Sequence, residues 1–220
     1  MPARRVVLLI AALLFALPLA RAGELQPMRV AIGLSLPPYV IADERRGMEY
    51  DIVREALADA GYELVPVFVD FGEVPGAIAA MTLASRHLTL DAVADLSGFS
   101  VLAFQKATDY LPASYGEAVA GKADYSETAE QARQPEALFL GEVDVVVADI
   151  NIFNWFRNDP RVRADADVTQ DVTIHAIFAP TPYQVAFRDA ADRDAFDAAL
   201  AALRDSGRYG TIIAAYGGVE

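Results

Sequence analysis

Asp149 is the residue whose type and position could do chemistry. It lies in Gly141–Phe156, GEVDVVVADINIFNWF, where Val143 to Val147 are β-formers interrupted only by Asp144. Such a run reads as a buried strand of a parallel sheet, and an acid at its carboxyl end sits where open α/β sheets bind ligands. A carboxylate facing a dry cleft needs a cation, and a ligand ammonium supplies one. Asp149 and Asn151 are also N-cap types that could start a helix carrying Ile152, Phe153, Trp155 and Phe156. For Asp149, holding a ligand and capping a helix stand on equal terms. Tyr39 could stack on the same ligand or be a plain loop aromatic. Gln105, Ala107 and Thr108 follow another strand; they could offer amide and hydroxyl groups or merely turn the chain. Glu49 and Asp51 could line the cleft, although acids in a helix's first turn more often serve its dipole.

Other chemistry finds less support. His87 and His175 are the only histidines and lie far apart, so each reads as a surface or core residue. Asp165, Asp167 and Asp171 hint at calcium, but their loop lacks the central glycine and terminal glutamate of an EF-hand. There is no G-x-S-x-G, no H-E-x-x-H, no phosphate-binding glycine loop and no cysteine, which removes the commonest nucleophile and metal motifs. Acids are abundant, yet nothing singles out a pair for glycoside cleavage. No catalytic residue, metal or cofactor is expected, and a binding protein is the better reading.

These residues need elements to hold them. Arg29–Leu34 reads as a first strand, stopped by Pro37-Pro38-Tyr39, since proline cannot donate to a ladder. Gly47 opens a helix over Glu49–Ala60 with Ile52, Val53, Ala56, Leu57 and Ala60 on one stripe, and Gly61 stops it. Tyr62–Val69 returns as a second strand. Strand, helix, strand at these lengths makes a right-handed βαβ unit and a parallel sheet. Ala77–Leu83 fits a short helix or a strand, Asp91–Leu96 a turn or helical turn, and Ser100–Phe104 a strand. The stretch to Tyr125 is polar and tyrosine-bearing, and Thr128–Leu140 is helical in pattern with Pro135 kinking or restarting it. Arg161–Asp171 reads as a charged loop, and Val172–Phe178 and Tyr183–Phe187 as strands. Asp189 caps the clearest helix, with Phe196, Ala199, Leu200 and Leu203 as its stripe and Gly207 as its end; Tyr209–Tyr216 forms a short second helix.

Arg4 and Arg5, the apolar run Val6–Leu19 and Ala20-Arg21-Ala22 have the form of a secretory signal cleaved after Ala22. That predicts a periplasmic protein beginning at Gly23. Cleavage removes three of the 18 basic residues and none of the 31 acids, leaving 15 against 31 and a net charge of −16. Such a chain is a poor partner for nucleic acid or an anionic membrane surface. Without cysteine an exported chain has no disulfides, so its stability rests on a packed core.

The ordered pieces carry a resemblance. Val30–Leu34 with Pro37-Pro38-Tyr39, Gly47-Met48-Glu49-Tyr50-Asp51, Asp95-Leu96-Ser97-Gly98 before Val101–Phe104, Leu140-Gly141-Glu142-Val143-Asp144 before Asp149, and Val185-Ala186-Phe187-Arg188-Asp189 to Gly207-Arg208-Tyr209 follow one another along nearly the whole mature chain. In that order they resemble the family 3 periplasmic solute-binding proteins, the polar amino-acid receptors of ABC importers. The resemblance implies a two-lobed, periplasmic-binding-protein-like α/β fold closing on a ligand. Lobe one would be residues 23–85 plus 184–220, and lobe two residues 86–183. It also exposes a departure. In the family, the second strand is followed by a helix, a glycine-aspartate strand start and an arginine that clamps the ligand carboxylate. Here Val74-Pro75 runs to Ala79-Ala80-Met81 without them. Lobe one is therefore expected to be incomplete, and no arginine takes the clamp position; Arg86 is the nearest.

The expected function is a periplasmic receptor that delivers a small polar, amino-acid-like or amine-bearing solute to an inner-membrane ABC permease. The alternative is a sensory module that signals to a membrane partner without transport, and an enzyme stands in reserve. A monomer is expected, with association through lobe one as the exception.

Overall fold

The structure, a computed structural model, describes residues 25–69, 77–180 and 184–218. The expected signal segment, residues 1–22, lies outside the described residues. Two sheets organise the chain. The small one pairs β1 (Gln26–Gly33) with β2 (Tyr62–Val69) in parallel, and α1 (Met48–Asp59) connects them as the βαβ reading requires. The large one has the order β5-β4-β6-β3-β7, built from β3 (Ile78–Leu83), β4 (Val101–Phe104), β5 (Tyr125–Thr128), β6 (Val145–Asp149) and β7 (Val172–His175).

Ile78–Leu83, grouped on the sequence with lobe one, is a strand of this large sheet, antiparallel to both β6 and β7. Its residues are nearly all buried, which only a central position between two strands allows. β4, β5 and β6 run parallel, so their carboxyl ends share one edge.

The large sheet is packed on both faces. Val145 and Val147 of β6 join a cluster with Leu96, Val101, Ala103 and Tyr115. Val146 and Ala148 face the other way, onto Leu138, Phe139 and Phe153. Those last residues belong to α4 (Arg133–Phe139) and α5 (Ile150–Arg157). Pro135 neither kinks nor restarts α4, because it falls in the first turn, where its missing N–H costs nothing. The expected charged loop opens instead with α6 (Pro160–Asp165), since Asp159 caps it and Pro160 takes the first helical position. The strand expected at Tyr183–Phe187 does not form over residues 184–187, and Tyr183 lies outside the described residues.

The small sheet is thinner. α1 packs Val53, Ala56 and Leu57 against Phe196 of α7 (Ala190–Asp205). A second cluster gathers Ile32, Met48, Tyr50, Leu203 and, from α8 (Arg208–Ala215), Ile212 and Ile213. Val65 and Val67 alternate onto the opposite face and remain half-buried. Both open edges carry a proline. The Gln26 amide donates to the Gly61 carbonyl, so the register turns positions 27 and 66 outward, and these are Pro27 and Pro66. An edge lacking its outward N–H resists strand addition.

Candidate ligand-binding site

Three stretches supply the site: the loop after β1, the end of β4 and the end of β6. Asp149 ends β6 and caps α5 with its Oδ1, which accepts the amides of Asn151 (2.8 Å) and Ile152 (3.0 Å). Its Oδ2 accepts the Tyr39 hydroxyl at 2.8 Å and the Ala77 amide at 2.9 Å. Asn151 Nδ2 donates to the Tyr39 hydroxyl oxygen at 3.0 Å. The carboxylate is 3% exposed, so these donors do for it what water would otherwise do. The cap of the sequence reading is present, and the same carboxylate also ties Tyr39 to the large sheet.

Tyr39 is held by its backbone as well. The amides of Met48 and Glu49, in the first turn of α1, donate to the carbonyls of Pro38 (2.9 Å) and Tyr39 (3.1 Å). A helix start leaves such amides without partners of its own, and here the loop supplies them. The Pro37-Pro38 bond is cis. The Tyr39 ring is buried in the cluster with Ile32, Val40, Met48 and Tyr216. Ile152 enters that cluster too, with Trp155 and Phe156 packed against it, so α5 is shared between the two halves of the molecule.

At the end of β4 the chain turns through Lys106 in the left-handed region (φ 63°) into the short α2 (Ala107–Tyr110). Gln105 and Thr108 are exposed and Ala107 is fully buried. One acid organises this corner. Glu127 of β5 accepts the amides of Lys106 (2.6 Å) and Thr108 (3.2 Å), the Thr108 hydroxyl (3.3 Å) and the Tyr125 hydroxyl (2.6 Å). Partial burial pushes the Glu127 carboxyl up, but the hydrogen bonds from Tyr125, Thr108 and Lys106 outweigh it and hold the group below its ordinary range. Burial, with the adjoining Glu127, pushes the Tyr125 phenol up. Glu127 is level with Val147 across β4. With adjacent strands about 4.8 Å apart and a rise of about 3.3 Å per residue, Glu127 and Asp149, two residues beyond Val147, stand roughly 12 Å from each other across the same edge.

No family model and no curated protein matches the sequence. Solved structures do match the fold. Substrate-binding domain 2 of GlnP from Lactococcus lactis, in an open conformation, superposes at TM-score 0.56 with 15% identity, over 88% of this chain and 96% of that one. An ancestral arginine-binding protein bound to glutamine gives 0.51 with 18% identity, over 88% and 98%. A histidine kinase sensor domain described as similar to periplasmic binding proteins gives 0.53 with 18% identity, over 88% and 96%. The fold is that of the periplasmic binding proteins.

Among the described residues the small sheet has two strands and the large sheet five. Arg86, the arginine nearest the expected clamp position, does not stand at the edge that carries Asp149. Arg86 pairs with Asp144, which precedes β6, so it lies at the opposite end of that strand from Asp149. Asp144 also accepts the Ser100 amide (3.0 Å) and hydroxyl (2.9 Å). It is a joint between strand starts rather than the strand interior that the apolar run suggested. His175 is buried and its Nε2 lies 3.0 Å from the Thr82 hydroxyl, while His87 is exposed. Among the described residues no group of three or more His, Cys, Asp or Glu is placed to hold a metal, and Asp167 spends its Oδ1 on the amide and hydroxyl of Thr169.

Glu127 was missed on the sequence. The alternation Tyr125-Ser126-Glu127-Thr128 is a weak strand signal, and it straddles the join between the polar stretch ending at Tyr125 and the helical pattern beginning at Thr128, which leaves Glu127 in neither.

Glu49, in the first turn of α1, offers a test of burial there. Its carboxylate is half-buried, has no hydrogen bond or ion pair among the described residues, and is pushed above the ordinary glutamate range by burial. A group raised in the folded state favours folding in its protonated form. Its cost is absent at low pH and appears as pH rises through the folded value. Glu49→Gln should therefore raise the melting temperature at pH 7 and leave it unchanged near pH 3.5, below the ordinary glutamate value of about 4.3. No gain at pH 7 would mean that water or a cation already solvates the carboxylate.

Proposed function

We propose that this protein is a periplasmic solute-binding module for a small polar, amine-bearing ligand, and that it delivers that solute to an inner-membrane ABC permease. One observation carries the reading. The carboxyl ends of β4 and β6 share one edge, and Tyr39 comes from the other sheet to meet Asp149 there. In an open α/β sheet this is the edge that receives ligands. The ligand lies against Tyr39, Gln105, Ala107, Thr108 and Asp149, with its ammonium at Asp149 in place of the Tyr39 hydroxyl. In this reading the segment before Gly23 directs export to the periplasm and is cleaved after Ala22, and the mature protein acts as a monomer. The structural neighbours support the class, since they include a substrate-binding domain of a transporter and an arginine-binding protein.

A sensory role is the second reading. It is favoured by the match to a kinase sensor domain and by α5, whose Ile152 is buried in the core of the other lobe. A signal passes well through lobes that share a helix.

Calorimetry on the mature chain tests the site. Asp149→Asn keeps one acceptor for the cap but replaces the charged one, so binding of an amine-bearing solute should weaken by about 1.5–3 kcal/mol, the range for a charged hydrogen bond. Unchanged affinity would leave Asp149 a cap and a tether only.

A further inference from the structure

Resting on the reading that a solute binds at the carboxyl edge of the large sheet, we propose that Glu127 is its specificity determinant: it turns away carboxylates and leaves the site to amines that lack one. Four donors converge beside the end of β4, namely the amides of Lys106 and Thr108 and the hydroxyls of Thr108 and Tyr125, and the Glu127 carboxylate already holds all four. An incoming carboxylate finds those donors taken and meets a fixed negative charge. Displacing Glu127 would leave a half-buried charge without partners, which is costly. The hydrogen bonds keep the group ionised at neutral pH.

Two separate features agree. The arginine nearest in sequence cannot pair with a ligand carboxylate at this edge, because Arg86 is held by Asp144 at the far end of β6; the cation at this corner among the described residues is Lys106, which is exposed and follows β4 beside Glu127. The chain carries 31 acids against 18 basic residues even with its first segment included, so its field draws cations and repels anions. Glu127 and Asp149, roughly 12 Å apart on one edge, make a site negative at both ends.

The test uses matched amines that differ by one carboxylate: agmatine against L-arginine, and cadaverine against L-lysine, titrated by calorimetry into the mature chain. The wild type should bind the decarboxylated member of a pair at least about tenfold tighter, the equivalent of one lost charged contact. Glu127→Ala should bring the two members to within about threefold of each other by the same scale. Glu127→Gln keeps the size and removes the charge, so it should narrow the gap as well, and it serves where the alanine variant folds poorly. A wild type that takes arginine as readily as agmatine overturns the role of Glu127 and leaves solute binding standing, as does a gap that survives both substitutions. Binding of none of the four compounds overturns the solute reading itself, and the inference with it.

Discussion

Asp149→Ala should cost about 3–5 kcal/mol of folding stability, a large share of the roughly 5–15 kcal/mol that a domain has. The substitution removes a cap, worth about 1–2 kcal/mol. It also removes the acceptor that the Tyr39 hydroxyl and the Ala77 amide share, a loss of about 1–3 kcal/mol for each such bond at a buried site. The terms overlap, because a water entering the space left by the carboxylate can satisfy some of the donors. Asp149→Asn should lose less, about 1–3 kcal/mol, since its oxygen still accepts from Asn151 and Ile152 while its amide faces the Ala77 N–H. Urea unfolding of the three proteins measures both. A loss below about 1 kcal/mol for the alanine variant would mean that the donors are already open to water, and that Tyr39 does not fasten the two halves.

The double duty of Asp149 shows where sequence reasoning stops. The strand, the acid at its end and the helix after it were legible, because apolar β-formers followed by N-cap types are local signals. The partner 110 positions away was not. On the sequence Tyr39 is a ring stacked on a ligand or a plain loop aromatic. Nothing in the loop says that its hydroxyl crosses to the other sheet, since that depends on how α1 and α5 pack around Ile152 and Met48.

β3 shows the same limit from the other side. Its residues Ile78–Leu83 are apolar except for Thr82 and fit a helix or a strand equally, as short buried runs do. The two-lobed plan was legible only through the resemblance. Periodicity gave strands and helices in order, and it carries no information on which sheet an isolated strand joins. Glu127 was missed for a further reason. A four-residue edge strand with alternating polar side chains resembles a loop, and the role of Glu127 is set by amides about 20 positions earlier in the chain.

The glycine at 47 was read as a helix opener, and the structure gives it a stricter task. Gly47 has φ 136° and ψ 163°, a combination that only glycine adopts readily. A Cβ there would stand 2.2 Å from the Tyr39 carbonyl oxygen and 2.7 Å from its carbon, and these are backbone atoms that cannot swing aside. The Gly47 amide donates to the Tyr216 hydroxyl at 2.9 Å, and that hydroxyl in turn donates to Asp51 Oδ2 at 2.5 Å. Gly47→Ala must therefore bear the backbone strain, about 1–3 kcal/mol, and must push the Tyr39 loop off the amides of α1 that hold it. We expect a total loss of about 3–5 kcal/mol by urea unfolding, a sum of that strain and the cost of forcing atoms into a packed site. The Tyr39 hydroxyl should also leave Asp149, since a loop displaced by even 1 Å breaks a 2.8 Å bond. The variant should then pair its lost stability with faster hydrogen exchange at Asn151 and Ile152, the far end of the same contact. Full protection of those two amides in a folded Gly47→Ala protein would show that the loop and the cap are independent.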